Sequence, residues 1–302
     1  MDRGWIAVDW GTTNLRVWVF AADGTELAHA SSDRGMGQLT SDVFEPALLE
    51  LVGDFLPSNQ VTPVICCGMV GARQGWIEAP YLSVPCKPPG IGNAIGPEVK
   101  DPRLDVHILP GVSQNLPADV MRGEETQIGG FLQNNPGFDG AVCLPGTHTK
   151  WVQVSAGEIV SFRTFMTGEL FSLLSERSVL RHSLVDEGWD EAAFNDACND
   201  AMTSPQHLSA RLFALRAGSL LHGLTPSKAR ARLSGSLIGL ELAGSRPYWL
   251  GREVAIIGAV GLAGLYDRAL TGVGVSATIA DAEAMTLAGL SSAFVKMKEQ
   301  NK

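Results

Sequence analysis

The first thirty residues alternate between short apolar runs and tight turns. Residues 5–9 and 15–20 are apolar runs separated by Gly11-Thr12-Thr13-Asn14, and Asp23-Gly24 precedes a third run at residues 26–31. An Asp-Gly pair between such runs is a strong hairpin signal. The pattern predicts an antiparallel meander of three strands.

Helical and strand periodicities follow the meander. Residues 44–55 carry apolar side chains at helical spacing, and a short apolar run predicts a buried strand at residues 63–67. A further strand is predicted at 106–109 and a helix at 121–132. Strands that alternate with helices indicate an α/β unit.

The same pattern begins again near residue 140. Strands are predicted at 140–144, 150–155 and 158–162, with a Gly-Thr turn between the first two. Helices are predicted at 170–174, 190–202, 209–221, 227–243, 261–271 and from 281, and strands at 254–257 and 276–279. We therefore expect an N-terminal domain at 1–138 and a C-terminal domain at 139–302, with the last helix, 281–302, packing back on the N-terminal domain.

Composition and charge exclude several classes of protein. The chain of 302 residues is 45% hydrophobic and 18% charged, which is typical of a folded globular protein. Its net charge of −9 argues against a nucleic-acid or anionic-membrane partner. Five cysteines without C-x-x-C spacing indicate reduced thiols. The N-terminus lacks a signal-peptide pattern and the apolar run at 254–266 is too short for a membrane span, so we expect a cytoplasmic protein.

A carboxylate, Asp9, ends the first apolar strand. Burial of such a group is costly unless it is solvated, paired or bound to a cation. Mg²⁺ would suit it, because this ion is held by one or two carboxylates together with waters and substrate phosphates. Alternatively, Asp9 accepts hydrogen bonds from the amides of its own turn.

Three glycine-containing segments could bind phosphate or nucleotide. In the turns Gly11–Asn14 and Gly146-Thr147, glycine permits close approach of an anion, and the amides and hydroxyls can donate to phosphate oxygens. Ordinary hairpin turns are the alternative. In the third segment, residues 254–270, an apolar strand runs into a glycine-spaced helix; a dinucleotide-binding turn is the rival interpretation, but the spacing is G-x-x-G-x-x-G rather than G-x-G-x-x-G.

Two acids, Glu124 and Glu125, lie at a predicted helix start. One could accept a proton from a substrate hydroxyl, or both could simply stabilise the helix dipole. Residues 68–85 and 162–171 mix glycine, aromatic and isolated arginine residues, which is typical of pocket-lining loops. Within or beside them, Arg73, Arg122 and Arg163 are candidates for a substrate carboxylate, with surface solvation as the alternative for each.

The order of these motifs resembles a known superfamily. Asp9-x-Gly11-Thr12-Thr13-Asn14, Pro145-Gly146-Thr147 and Gly258–Gly264 resemble the phosphate-1, phosphate-2 and adenosine motifs of sugar kinases, chaperone ATPases and actin. More closely, "DWGTTNLRVW", "MRGEETQ", "LPGTHTKWVQ" and "FRTFMTGEL" resemble the 2-dehydro-3-deoxygalactonokinase family. The resemblance implies an α/β protein of two ribonuclease-H-like domains, with mixed sheets flanked by helices and ATP in the cleft between them.

The resemblance also implies an activity. It is the ATP-dependent phosphorylation of the 6-hydroxyl of 2-dehydro-3-deoxy-D-galactonate in galactonate breakdown, with ATP and Mg²⁺ as cofactors. The alternatives are a kinase of another sugar acid, such as 2-dehydro-3-deoxygluconate, and a non-catalytic nucleotide-gated binding protein. The sequence leaves open whether the chain forms a homodimer.

Roles of individual residues follow by position. Gly123-Glu124 resembles the Gly-Asp pair of the FGGY carbohydrate kinases, which favours Glu124 as the base and leaves Glu125 or Asp9 as alternatives, while Asp9 would hold Mg²⁺ through water. The ATP and phosphate candidates are Gly11, Thr12, Thr13, Asn14, Arg16, Gly146, Thr147, His148, Lys150, Gly258, Ala259, Gly261 and Leu262. The sugar-acid candidates are Gly68, Met69, Val70, Trp76, Tyr81, Arg122, Arg163 and Thr167.

Overall fold

The computed structural model describes residues 4–184 and 188–300. By its contacts the chain divides into two compact units. The first unit comprises Met1–Phe138, Ser155–Ser161 and Ala282–Lys302, and the second comprises Asp139–Val154 and Phe162–Asp281. Two stretches of the predicted C-terminal domain, at 155–161 and 282–302, thus group with the first unit.

The described residues form strands and helices that follow the predicted order closely. The strands are β1 (Trp5–Trp10), β2 (Leu15–Phe20), β3 (Glu26–Ser32), β4 (Thr62–Gly68), β5 (Tyr81–Ser83), β6 (Leu104–Ile108), β7 (Gly111–Gln114), β8 (Asp119–Met121), β9 (Gly140–Leu144), β10 (Thr149–Ser155), β11 (Glu158–Phe165), β12 (Glu253–Gly258) and β13 (Ala277–Asp281). The helices are α1 (Phe44–Val52), α2 (Glu124–Asn134), α3 (Thr167–Glu176), α4 (Glu191–Thr203), α5 (Leu208–His222), α6 (Pro226–Gly244), α7 (Arg246–Trp249), α8 (Val260–Thr271) and α9 (Ala282–Gln300).

Two five-stranded sheets share one topology. The first has the order β3-β2-β1-β4-β6 and the second the order β11-β10-β9-β12-β13. In the first, β1–β2 and β2–β3 pair antiparallel, whereas β1–β4 and β4–β6 pair parallel. In the second, β9–β10 is antiparallel and β9–β12 and β12–β13 are parallel. This repeat confirms the predicted fold class of mixed sheets flanked by helices.

Both faces of the first sheet are covered, which explains why all six residues of β1 are buried. On one face, Ile6 and Val8 share a core with Phe44 and Leu48 of α1. On the other face, Trp5 stacks on Phe294 of α9, with ring centroids 4.6 Å apart. Helix α9, which follows all of the second unit in sequence, is therefore part of the core of the first unit.

The helix predicted at residues 121–132 begins later than expected. Met121 ends β8, and Gly123 has a φ of 103°, so the helix begins at Glu124. The small sheet β5-β7-β8 was not predicted, because its strands are only three or four residues long and carry little periodicity.

Between β11 and β12, the described residues of the second unit form mainly helices. Helices α4 and α6 pack together, and Phe194 and Cys198 of α4 and Ile238 and Leu242 of α6 join β-strand residues in one core. Across residues 4–184 and 188–300, no helix has the length and apolar character needed to cross a membrane.

Replacing Phe294 by alanine tests the docking of α9. We expect Phe294→Ala to lower the free energy of unfolding by about 3–5 kcal/mol, because it removes a buried ring from the stack on Trp5. Urea unfolding followed by tryptophan fluorescence and circular dichroism measures the change.

The neighbouring Val295, which is 53% exposed, supplies the matched control. Val295→Ala should change stability by no more than about 0.5 kcal/mol. Equal effects of the two substitutions would contradict the packing described for α9.

Candidate active site

Asp9 lies near the carboxyl end of β1 and is almost completely buried. Arg16 on β2 donates from Nη2 to Asp9 Oδ2 at 2.5 Å, and its Nη1 lies 3.4 Å from Glu283 Oε2 at the start of α9. Burial raises the pKa of Asp9 above its ordinary value, against the opposing effect of the Arg16 guanidinium. Arg16, predicted to contact phosphate, is paired with two carboxylates in this structure.

The end of β4 and the start of α2 approach each other through two glycines. Gly68 and Gly123 both have positive φ values, 88° and 103°, which favour glycine. A Cβ on Gly123 would lie 3.3 Å from the Gly68 Cα, and a Cβ on Gly68 would lie 3.4 Å from Asp9 Oδ1. This close approach brings the first turn of α2 to Asp9.

The two adjacent acids at the start of α2 have different environments. Glu124 is partly exposed, and its Oε2 accepts the Arg122 amide at 3.0 Å. Glu125 is fully buried; its Oε1 accepts the Gly123 amide at 2.7 Å, and its Oε2 is buried with no hydrogen-bond partner among the described residues. Burial raises the pKa of Glu125 to about 8. At neutral pH, therefore, Glu125 is protonated and only Glu124 is accessible from solvent.

Cys67 lies between these carboxylates. Its Sγ is 3.9 Å from Asp9 Oδ1, and burial, with the nearby Asp9 and Glu125, raises the pKa of the thiol. The thiol is thus neutral and serves as a packing group beside the acids. Cys67 could not be connected with the site from sequence, since no base lies near it at the spacing of a nucleophile–base pair.

The turn at Gly11–Asn14 is held from behind by residues 34–37. Met36 and Gly37 donate their amides to the Gly11 and Thr12 carbonyls at 3.0 and 2.9 Å. The Trp10 indole also donates to the Arg34 carbonyl at 3.0 Å. Thr12, Thr13 and Asn14 remain exposed on the outer side of this braced turn.

In the second unit, the turn between β9 and β10 is braced by α3. The Glu169 amide donates to the Thr147 carbonyl at 2.9 Å, and a Cβ on Gly168 would lie 2.3 Å from the Gly146 carbonyl oxygen. His148 Nε2 lies 2.5 Å from the Glu169 carboxylate. Thr147 and His148 are exposed, whereas the neighbouring Lys150 is buried in β10.

The glycine-spaced segment meets this turn. Gly258, at the end of β12, packs so closely that a Cβ there would be 3.3 Å from Pro145 Cδ. Ala259, Val260 and Gly261 follow as exposed residues at the start of α8. A cavity of about 260 Å³ opens beside them. Its lining includes Gly146, Thr167, Gly168, Phe171, Leu262 and Tyr266.

The predicted sugar-acid residues divide between the two units. Gly68, Met69, Val70, Trp76, Tyr81 and Arg122 lie in the first unit, and Arg163 and Thr167 in the second. Arg122 is buried over the Tyr81 ring, with Cζ 4.2 Å from the centroid, and donates to the Ala79 carbonyl at 2.8 Å. Its Nε and Nη1 are buried without a hydrogen-bond partner in the described part of the chain.

The other members of that group differ in exposure. Val70 is fully buried in the core of the first unit, and Met69 and Trp76 are partly buried against the same core. Arg163 and Arg73 are exposed.

A family model described as 2-keto-3-deoxy-galactonokinase matches residues 9–293. The chain belongs to this family. A probable 2-dehydro-3-deoxygalactonokinase of Rhizobium meliloti (strain 1021) is 40% identical over 295 residues, covering 95% of each chain. The 2-dehydro-3-deoxygalactonokinase of Escherichia coli (strain K12) is 34% identical over 295 residues, covering 97% of this chain and 98% of its own.

One solved structure agrees with the family assignment, and a second has a similar fold. A crystal structure assigned as a 2-dehydro-3-deoxygalactonokinase of Sinorhizobium meliloti has a TM-score of 0.90 at 38% identity, covering 97% of this chain and 99% of its own. The activator of 2-hydroxyisocaproyl-CoA dehydratase from Clostridium difficile, solved with bound ADPNP, has a TM-score of 0.55 at 12% identity, covering 99% and 97%. This second likeness shows the fold alone.

The raised pKa of Glu125 predicts a pH-dependent stability. In the folded protein the pKa of Glu125 is about 8, whereas a glutamate in the unfolded chain has a pKa near its ordinary value of 4.5. Stability should therefore fall as pH rises between these values, by up to about 1.4 kcal/mol per pH unit from this group. Glu125→Gln should remove that part of the slope, as measured by urea unfolding between pH 5 and pH 8.

Thr126, the next residue along α2, is equally buried but does not titrate. Thr126→Val is thus the matched control, and it should shift the stability at every pH without changing the slope. A Glu125→Gln slope that equals the wild-type slope would show that Glu125 ionises normally in the folded protein.

Proposed function

We propose that this chain is an ATP-dependent kinase that phosphorylates the 6-hydroxyl of 2-dehydro-3-deoxy-D-galactonate. Membership of the 2-keto-3-deoxy-galactonokinase family supports the reaction class. The observation that carries the proposal is the convergence of Asp9, the accessible Glu124 and the Gly11–Asn14 turn at one edge of the first sheet. This combination provides a cation ligand, a proton acceptor and phosphate-binding amides.

Asp9 fits the requirements of a magnesium ligand. Its carboxylate offers oxygen atoms, and its pKa is raised by burial, so a nearby cation would favour its charged form. The described residues contain no group of three or more His, Cys, Asp or Glu side chains arranged for a metal. Mg²⁺ held by one carboxylate, waters and phosphates needs no such group. When bound, the ion would neutralise charge on the transferring phosphate.

Glu124 is the proposed base. Its partly exposed carboxylate would accept the proton of the 6-hydroxyl as that oxygen forms a bond to the γ-phosphorus. The bond between the γ-phosphorus and the bridging oxygen then breaks, and ADP leaves. The buried, protonated Glu125 would orient Gly123 through its 2.7 Å hydrogen bond rather than accept the substrate proton.

Each unit has one turn that we propose as a phosphate-binding element. Gly11–Asn14 in the first unit and Gly146-Thr147 in the second offer exposed hydroxyls and backbone amides on braced loops. Donors fixed before the reaction stabilise developing charge without further reorganisation. The cavity beside Leu262 and Tyr266 is proposed to take the adenosine group.

Arg122 is the proposed partner of the substrate carboxylate. A buried guanidinium whose Nε and Nη1 lack hydrogen-bond partners is energetically costly, and a charge-assisted hydrogen bond to a substrate carboxylate would offset part of that cost. Its position two residues before Glu124 would place the acid end of the sugar near the base. Arg73 and Arg163 are exposed, so water can solvate their guanidinium groups without a substrate carboxylate.

A coupled assay of ADP formation over a panel of acids tests the acceptor. We expect the highest kcat/KM with 2-dehydro-3-deoxy-D-galactonate, and lower values with 2-dehydro-3-deoxygluconate and with plain aldonates. A higher kcat/KM with 2-dehydro-3-deoxygluconate would show that the chain is a kinase of that acid instead. Tight ATP binding without transfer to any acid would instead support a nucleotide-gated binding protein.

Replacing Glu124 by glutamine tests the base. Glu124→Gln should lower kcat by about 10²–10⁴-fold, the usual contribution of general acid–base catalysis, because the amide cannot take the hydroxyl proton. The affinity for Mg·ATP, measured by isothermal titration calorimetry, should change by less than about threefold.

Glu125→Gln is the comparison variant. It keeps a neutral, hydrogen-bonding side chain and should lower kcat by less than about tenfold. If Glu125→Gln were instead the more damaging substitution, Glu125 would be the base and Glu124 its neighbour only.

A further inference from the structure

The second unit contains a buried carboxylate that the sequence did not single out. Glu241 of α6 is 1% exposed and accepts the Trp151 indole N–H on Oε1 at 2.7 Å. Its Oε2 accepts the Tyr266 hydroxyl at 2.7 Å and the Thr167 hydroxyl. The Tyr266 and Thr149 hydroxyls are a further 2.9 Å apart. One carboxylate therefore links β10, α3, α6 and α8.

We propose that Glu241 is a positioning residue that holds the nucleotide-binding walls of the second unit in register. The inference rests on the proposed function, and Glu241 would act through its hydrogen-bond partners Thr167 and Tyr266. Thr167, a sugar-acid candidate in the sequence, is assigned here to the cavity proposed for adenosine, which it lines. Glu241 itself does not line the cavity, whereas both of these partners do.

The first link runs through Thr167 to the turn at Gly146-Thr147. Thr167 is the first residue of α3, and the next residue, Gly168, lies against the Gly146 carbonyl. Because a Cβ at Gly168 would overlap this carbonyl at 2.3 Å, there is no space for α3 to slide toward the turn. A shift of Thr167 would therefore be passed directly to the phosphate-binding turn.

The second link runs through Tyr266 to α8. Tyr266 is 1% exposed, and the same helix begins at the exposed residues that follow Gly258. Thr149, the first residue of β10 after the turn, contacts the Tyr266 hydroxyl. Glu241 thus fixes the two walls of the cavity, α3 and α8, to the strand that leaves the turn.

A purely structural role explains the arrangement less well. Burying a carboxylate is costly, and well-packed apolar side chains of similar volume are often equally or more stabilising. Three donors aimed at one carboxylate instead specify a single geometry. Burial raises the pKa of Glu241 to about 7, so at pH 8 the carboxylate is ionised and can accept all three hydrogen bonds.

The test compares Glu241→Met, which has similar volume without hydrogen bonding, with Glu241→Gln. In Glu241→Met we expect the Kd and KM for Mg·ATP to rise about 10–100-fold, with the KM of the sugar acid within about threefold of wild type. In Glu241→Gln, the Kd and KM for Mg·ATP and the KM of the sugar acid should all stay within about threefold of the wild-type values. The glutamine carbonyl can accept from Trp151, while its amide donates to the hydroxyl oxygens of Thr167 or Tyr266.

Ser245→Ala is the matched control for loss of a buried polar group near the end of the same helix. The Ser245 hydroxyl is buried and has no hydrogen-bond partner within the described residues. This variant should leave the Kd for Mg·ATP unchanged, because the Ser245 hydroxyl makes no hydrogen bond to Glu241, Thr167 or Tyr266.

A second variant keeps the proposal testable if Glu241→Met does not fold. Tyr266→Phe removes one donor and should raise the Kd for Mg·ATP about 3–10-fold. Adding it to Glu241→Met should have almost no further effect, since both substitutions break the same contact. A folded Glu241→Met or Tyr266→Phe with a wild-type Kd for Mg·ATP would overturn the proposal, as would an equal rise in the KM of the acid.

Equilibrium binding of Mg·ATP separates this inference from the proposed function. Calorimetry needs no acceptor, so the Glu241 variants can be compared even if the wild-type protein phosphorylates none of the acids tested. A wild-type protein that transfers phosphate to none of the acids would contradict only the kinase proposal. Unchanged nucleotide binding in the variants would reject the positioning role alone.

Discussion

Carboxylates withdrawn from water constrain both units of this protein. A buried carboxylate is tolerated only where donors or a cation face it, so each one fixes the elements around it. Asp9 at the end of β1 is paired with Arg16, which also pairs with Glu283 at the start of α9. Glu125 accepts a hydrogen bond from the Gly123 amide. Glu241 gathers three donors behind the Gly146-Thr147 turn. Each of these carboxylates thus fixes the position of a neighbouring backbone segment or helix.

Most of the fold was predictable because its elements carry clear periodicity. The strands around Asp9 and the helix at 226–244 agree with prediction within one or two residues. The predicted start of α2 was wrong. Met121 fits the apolar pattern of the helix but belongs to β8, and only the backbone shows that the positive φ of Gly123 separates the strand from the helix. The small sheet β5-β7-β8 depends on pairings between distant short segments, which local sequence does not encode.

The candidate site was only partly predictable. Asp9 was identified as a candidate because it is an acid within an apolar strand. Glu241 is likewise an acid among apolar residues, in the helical stretch "LIGLELAG", but a single acid in that pattern also fits an exposed helix position. The different burial of Glu124 and Glu125 could not be predicted. Adjacent residues on a helix point in different directions, and which of them faces the protein interior depends on tertiary packing. The orphaned N–H groups of Arg122 are likewise a property of packing.

The return of α9 to the first sheet has a consequence for folding in the cell. Trp5 and Phe294 stack although nearly the whole chain separates them, and the intervening sequence includes all of the second unit. During synthesis from the N-terminus, the first sheet must wait with one apolar face uncovered while the second unit emerges and can fold. Helix α9, which covers that face, is synthesised only after the second unit, so we expect chaperones to bind the nascent chain on the face occupied by Trp5 and Ala7.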